Sequence, residues 1–110
     1  MSNIDTGRIV TAGMKAAAGA ARRRAAVRAA VEAHLAAVAA GRGYGSAERL
    51  ISYAMSGQAA WQAEARAFAR WRDRVWETVF EMQARDPEAP PQSVLAALPE
   101  IGWPAPGAEE

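Results

Sequence analysis

Apolar side chains recur along this chain with helical spacing. Val27, Val31, Leu35 and Val38 follow at steps of four, four and three residues, which winds them into one narrow stripe on a helix of 3.6 residues per turn. The positions around the stripe are mostly alanine, 15 of the 29 residues from Ala12 to Ala40, and no proline occurs between Thr6 and Ala40. Alanine is the best helix former, so the pattern predicts one long helix over about residues 6–40. Gly13 and Gly19 each cost about 1 kcal/mol relative to alanine in a helix interior, which predicts fraying or a bend in the first turns.

Gly41-Arg42-Gly43-Tyr44-Gly45 places three glycines in five residues and predicts a tight, mobile stop. Ser46 is suited to cap a short helix reaching about Met55, with Glu48 favourably near its positive end. Leu50, Ile51, Ala54 and Met55 supply the apolar face of that helix, and Tyr44 and Tyr53 are expected to pack with hydroxyls outward. A second long helix is predicted from about Ala59 to Arg85, where Asp86-Pro87 stops it.

On this second helix Trp61, Ala65, Phe68, Val75, Val79 and Met82 keep a heptad-like spacing, and Trp71 and Trp76 widen the face. The core candidates are Trp61, Phe68, Trp71, Arg72, Val75, Trp76 and Val79. Arg72 stands where an apolar residue is expected, so its stem should pack while its head meets a carboxylate or an aromatic ring. The opposite face offers the pairs Arg70/Asp73, Arg74/Glu77 and Glu81/Arg85, each worth a few tenths of a kcal/mol. After the stiff segment Glu88-Ala89-Pro90-Pro91, residues Gln92–Leu98 suit two helical turns with Val94, Leu95 and Leu98 inward. Ile101 and Trp103 add a last apolar hook.

The resulting expectation is an all-α chain: a long N-terminal Ala-rich helix over 1–43, a compact helical bundle over 44–103 and a loose tail over 104–110. The bundle comprises a short helix, a long Trp-rich helix and a short C-terminal helix. At 110 residues this is one small domain's worth. Much of the 51% apolar content is alanine, which buries little area, so composition overstates the core.

Charge changes the picture more than composition does. The net charge is +1, but residues 1–43 carry seven basic and two acidic groups (+5), and residues 44–110 carry six basic and ten acidic (−4). The valine stripe, flanked by Arg24 and Arg28, therefore admits two readings: packing on its own domain, or contact with another helix, either a second copy or a partner. On the second reading Val27, Val31, Leu35, Val38, Arg24 and Arg28 are the partner-binding residues, and a homo-oligomer, with a trimer as first guess, is expected.

Candidate chemistry is sparse. Without cysteine there is no disulfide framework, thiolate zinc site or cysteine nucleophile. The single histidine, His34, has no carboxylate at i±3 or i±4. Asp73/Glu77 and Glu77/Glu81 sit one turn apart, yet arginines interleave them and no second carboxylate–histidine pair completes a metal site. The glycine turn follows a helix, whereas a phosphate-binding loop follows a strand. Arg22-Arg23-Arg24 point in three directions on a helix, which argues against a nucleic-acid track. No catalytic, metal or cofactor-binding residues are expected, nor any cofactor or enzymatic activity. The N-terminal segment Met1–Gly13 lacks the apolar run of a signal peptide or membrane span, and a soluble location with no membrane partner is expected.

The motifs Gly43-Tyr44, Ser52-Tyr53-Ala54, Ala63-Glu64-Ala65, Trp71-Arg72-Asp73, Val75-Trp76 and Leu98-Pro99, taken in order, resemble a helical region of tailed-bacteriophage tail proteins. In that family a glycine-tyrosine turn, an SYA helix, a WR…VW helix and a terminal LP helix recur, often near the end of tail-fibre or tail-tip polypeptides. The resemblance covers roughly residues 40–103. It implies a non-enzymatic structural protein of the virion tail, present in the host cytoplasm during assembly, whose partners are other tail proteins. The alternatives are a tail-fibre assembly chaperone and a small nucleic-acid-binding regulator.

Overall fold

The computed structural model describes residues 2–105, with side chains described from Ala12 onward. Most of the expected tail, residues 106–110, lies outside the described residues. Among these residues the chain is all-α: α1 Ser2–Gly41, α2 Ala47–Ser52 continued by a single 3₁₀ turn over Tyr53–Met55, α3 Ala59–Arg85 and α4 Pro91–Ala97. α1 runs unbroken through Gly13 and Gly19. The fraying expected there is not seen in the backbone, since the alanines around the two glycines favour helix by more than the glycines disfavour it.

Local chemistry sets the boundaries. α1 ends in a Schellman turn, in which the Tyr44 N–H donates to the Ala39 carbonyl at 3.0 Å and the Gly43 N–H to the Ala40 carbonyl at 2.9 Å. This requires a left-handed residue after the cap. Gly43 supplies it, with φ +98°. The Ser46 hydroxyl accepts the Arg49 N–H at 3.0 Å and caps α2. The Ser52 hydroxyl donates to the Arg49 carbonyl at 2.6 Å, and the helix tightens there. Asp86 closes α3, its N–H donating to the Met82 carbonyl at 2.7 Å, and Pro91 opens α4 at the position where its missing N–H costs nothing.

α1 runs antiparallel to α3. Arg42 at its end meets Glu64 near the start of α3, and Arg23 meets Glu88 just beyond the end of α3. One core lies between α1 (Val27, Val31, Leu35, Ala39), α2 (Leu50), α3 (Ala65, Phe68, Trp71, Val75, Val79) and the α4 segment (Ala89, Val94). Trp71, Phe68, Leu50 and Val31 are fully buried. Packing therefore puts no boundary at residue 43: the second half of α1 belongs to the same core as residues 44–103.

The described chain measures 73 × 23 × 18 Å with a radius of gyration of 19.7 Å, against about 13 Å for a compact domain of this size. The excess is the N-terminal half of α1, which extends past the bundle. From Ala12 to Ala26 its positions are exposed, with only Gly19 and Ala20 half-covered.

Candidate interaction surfaces

Three surfaces follow from this arrangement: the free half of α1, an aromatic cleft where α1 turns into α2, and an exposed aromatic pair on α3. The valine stripe is not among them. Val27, Val31 and Leu35 are buried and Val38 half-buried against α2, α4 and the Trp71 face of α3, with the His34 ring 5.8 Å from that of Trp71. The assignment of these residues to a partner is thereby corrected. The large rings of α3 and the apolar side chains of α4 fill the space that a second copy would have taken, and the trimer guessed from the stripe loses its seam.

Arg24 and Arg28, expected beside a partner, are exposed. The acid reached from this region belongs to the same chain and is met by the neighbouring Arg23, whose Nη2 lies 3.0 Å from Glu88 Oε2. Both groups are largely exposed, and such a pair is worth at most about 1 kcal/mol. Upstream, Met14 keeps 63% of its surface exposed. Between Ala12 and Val31 the only charged residues are Lys15, Arg22, Arg23, Arg24 and Arg28, so this stretch of the arm carries basic charge alone.

Schellman bonds and a polar cluster hold the α1–α2 turn. Arg42 Nε and Nη2 both donate to Glu64 Oε2, at 2.8 and 2.6 Å, and the Tyr44 hydroxyl donates to Glu64 Oε1 at 2.7 Å. Both carboxylate oxygens are thus engaged. The Arg42 guanidinium also lies 4.9 Å from the Trp103 ring centroid, a cation–π contact that fastens the C-terminal segment to the turn. Tyr44 points inward, contrary to expectation, because a carboxylate waits for its hydroxyl.

Electrostatics follow from this geometry. Burial, then the hydrogen bond to Glu64 and the charge of that carboxylate, push the Tyr44 hydroxyl up to about 12. For Glu64, burial works to raise the pKa. The bonds from Arg42 and Tyr44 and the guanidinium charge together outweigh it and hold the group below the usual glutamate value.

Around this cluster Gly45, Arg49, Tyr53, Ala60 and Trp61 complete a cleft of about 470 Å³. The rings of Tyr44, Tyr53 and Trp61 form a tilted series, with centroids 5.7 and 5.4 Å apart. Trp61, expected in the core, is 49% exposed. It lies beyond the end of the apolar layer contributed by α1, so its ring meets Tyr53 in a tilted contact and about half of the residue stays open to solvent.

The remaining core candidates divide. Phe68, Trp71, Val75 and Val79 are buried as expected, and Trp76 is half-buried. Trp71 is the centre of the core rather than its flank, and its indole N–H donates to the Pro99 carbonyl at 2.7 Å. Trp76 stacks on Phe80, 62% exposed, at 5.9 Å. Arg72 is half-buried, and its head reaches only the adjacent Asp73, at 3.8 Å. The helix-face pairs Arg70/Asp73, Arg74/Glu77 and Glu81/Arg85 do not form within 4 Å; the ion pairs among the described residues are Arg23–Glu88, Arg42–Glu64 and Arg72–Asp73. Solvent satisfies those exposed heads as well as a neighbour would.

Sequence reasoning missed the Arg42–Tyr44–Glu64 cluster. A signal was present: Glu64 precedes Trp71 by one heptad and so shares its inward helical phase, and a carboxylate in that position needs donors. Among the described residues no three His, Cys, Asp or Glu side chains gather as a metal site, and no helix is both long and apolar enough to cross a membrane.

No protein-family model matches the chain, and neither curated proteins nor solved structures provide a match.

Proposed function

We propose that this chain is a non-enzymatic structural component of a bacteriophage tail, associated with the tail fibre or tail tip, and that it works through helix-mediated protein–protein contacts. The observation that carries the binding role is the free half of α1. A helix standing clear of its own domain gains no packing energy from it, so its length serves what it touches outside the bundle. The tail setting is supported by the ordered motifs from Gly43-Tyr44 to Leu98-Pro99.

An arm that carries six basic groups and one acidic group, Asp5, between residues 2 and 31 repels a second arm laid beside it and favours an acidic neighbour, so the contact proposed for it is with another tail protein. The second reading, a tail-fibre assembly chaperone, uses the same arm during morphogenesis only. Mass spectrometry of purified virions from the encoding strain separates the two: peptides of this chain in the finished particle support the structural role, and their absence there, with capture on unassembled fibre protein, supports the chaperone. Absence from both overturns the tail proposal. Within it, Ala17→Trp is expected to abolish incorporation while leaving the circular dichroism of the bundle unchanged.

A further inference from the structure

The cleft between the α1–α2 turn and the start of α3 is a surface separate from the α1 arm, and its composition is that of a recognition site rather than a structural joint. Two arginines and one glutamate line it. Glu64 is consumed by Arg42 and Tyr44, so that pair is internally neutral. Arg49 makes no ion pair among the described residues. Its side chain lies back over the turn, with Cδ and Nη1 within 4.0 Å of where a Cβ on Gly45 would stand. The cleft therefore presents one uncompensated cation at its lip, beside an indole that is half open to solvent and supported from behind by Tyr53.

We infer that this cleft binds an acidic peptide segment of a partner protein: an apolar side chain lies on the Trp61–Tyr53 surface and an adjacent carboxylate pairs with Arg49. Tryptophan, tyrosine and arginine are the residues that most often anchor protein interfaces, and guanidinium binds carboxylate through two parallel donors. The net charge of the lining selects against a cationic ligand. It also disfavours nucleic acid, which needs a track of phosphate contacts. The other basic cluster, at Arg24 and before, lies about 27 Å along α1 from Arg42.

An array of decapeptides that place Asp or Glu next to Pro, Leu, Phe or Tyr, printed beside the same peptides with Asn and Gln instead, tests the inference on the full chain. The acidic set should retain the protein at least about fivefold more strongly than the amide set, the scale of an exposed ion pair. The best peptide should shift the Trp61 indole and Arg49 side-chain NMR signals. Arg49→Glu, at an exposed position that leaves the core intact, should abolish the acid preference, and Trp61→Ala should weaken binding by tenfold or more. Equal retention of both sets, no retention of either, binding that survives Arg49→Glu, or displacement of the peptide by a short oligothymidylate would each overturn it. None of these results bears on virion incorporation, so this inference and the tail proposal fail separately.

Discussion

From Ala12 onward the two halves of α1 share an alanine-rich character and a conformation but not an environment. Both are alanine-rich helix. From Val27 onward an apolar residue larger than alanine returns every three or four positions, and that half is built into the core. Between Ala12 and Val27 the positions in phase with the stripe are Gly13, Ala16, Ala20 and Arg23, and this stretch stands in solvent apart from half-covered Gly19 and Ala20. Helical propensity is thus enough to set the path of the chain, whereas burial is decided by a few methyl groups per turn.

This contrast is tested most severely from across the core. Trp71 packs against the buried half of α1 through His34 and donates to Pro99, so Trp71→Ala should lower the unfolding free energy by about 3–5 kcal/mol. Trp61→Ala, at the rim, should cost less than about 1 kcal/mol, both read from urea titrations. Equal losses would mean that α1 is not held by this layer.

A smaller effect is expected where the packed half ends. Glu64→Gln leaves Arg42 without its counter-ion and should cost about 1–3 kcal/mol at neutral pH. The linkage has two signs. Glu64 has a lower pKa folded than the roughly 4.3 of the unfolded chain, so its stabilisation is present above that value and is lost as pH falls through the folded one. Tyr44, at about 12 when folded, stabilises below an unfolded pKa of about 10 and loses that contribution as pH rises toward 12. Urea midpoints measured from pH 3 to 7 should therefore fall less steeply on the acid side in Glu64→Gln than in the parent chain.

The smallest expected change draws the comparison most directly. Ala33→Gly, on the exposed side of the packed half, should cost about 1 kcal/mol of global stability. Ala18→Gly, in the free half, should leave the unfolding midpoint within error and show only as faster amide exchange around residue 18. A matching loss in midpoint at both positions would mean that the arm unfolds together with the bundle.

The helices were legible because their signals are local: alanine content, the Ser46 cap, the Asp86-Pro87 stop and the heptad spacing of Phe68, Val75 and Val79 all act within a few residues. What covered the valine stripe was not legible, since both readings satisfy the same periodicity and only the positions of Trp71 and Val94 in space decide between them. Trp61 misled for a related reason. Its helical phase matches Phe68 and Val79, but no apolar layer extends far enough to cover it. The polar cluster at the turn escaped because its members come from two separate stretches, residues 42–44 and the start of α3, that only the chain reversals between α1 and α3 bring together.

The unbroken path of α1 through Gly13 and Gly19 gives the free half a regular rise and rotation per residue. Its far end is positioned by counting residues, not by contacts. Ala12 stands about 22 Å along the axis from Val27, and one inserted residue between them would move it about 1.5 Å outward and turn it by about 100°. Reach and bearing are thus coupled in this arm, and among small changes of length only those near whole turns preserve the direction in which it faces.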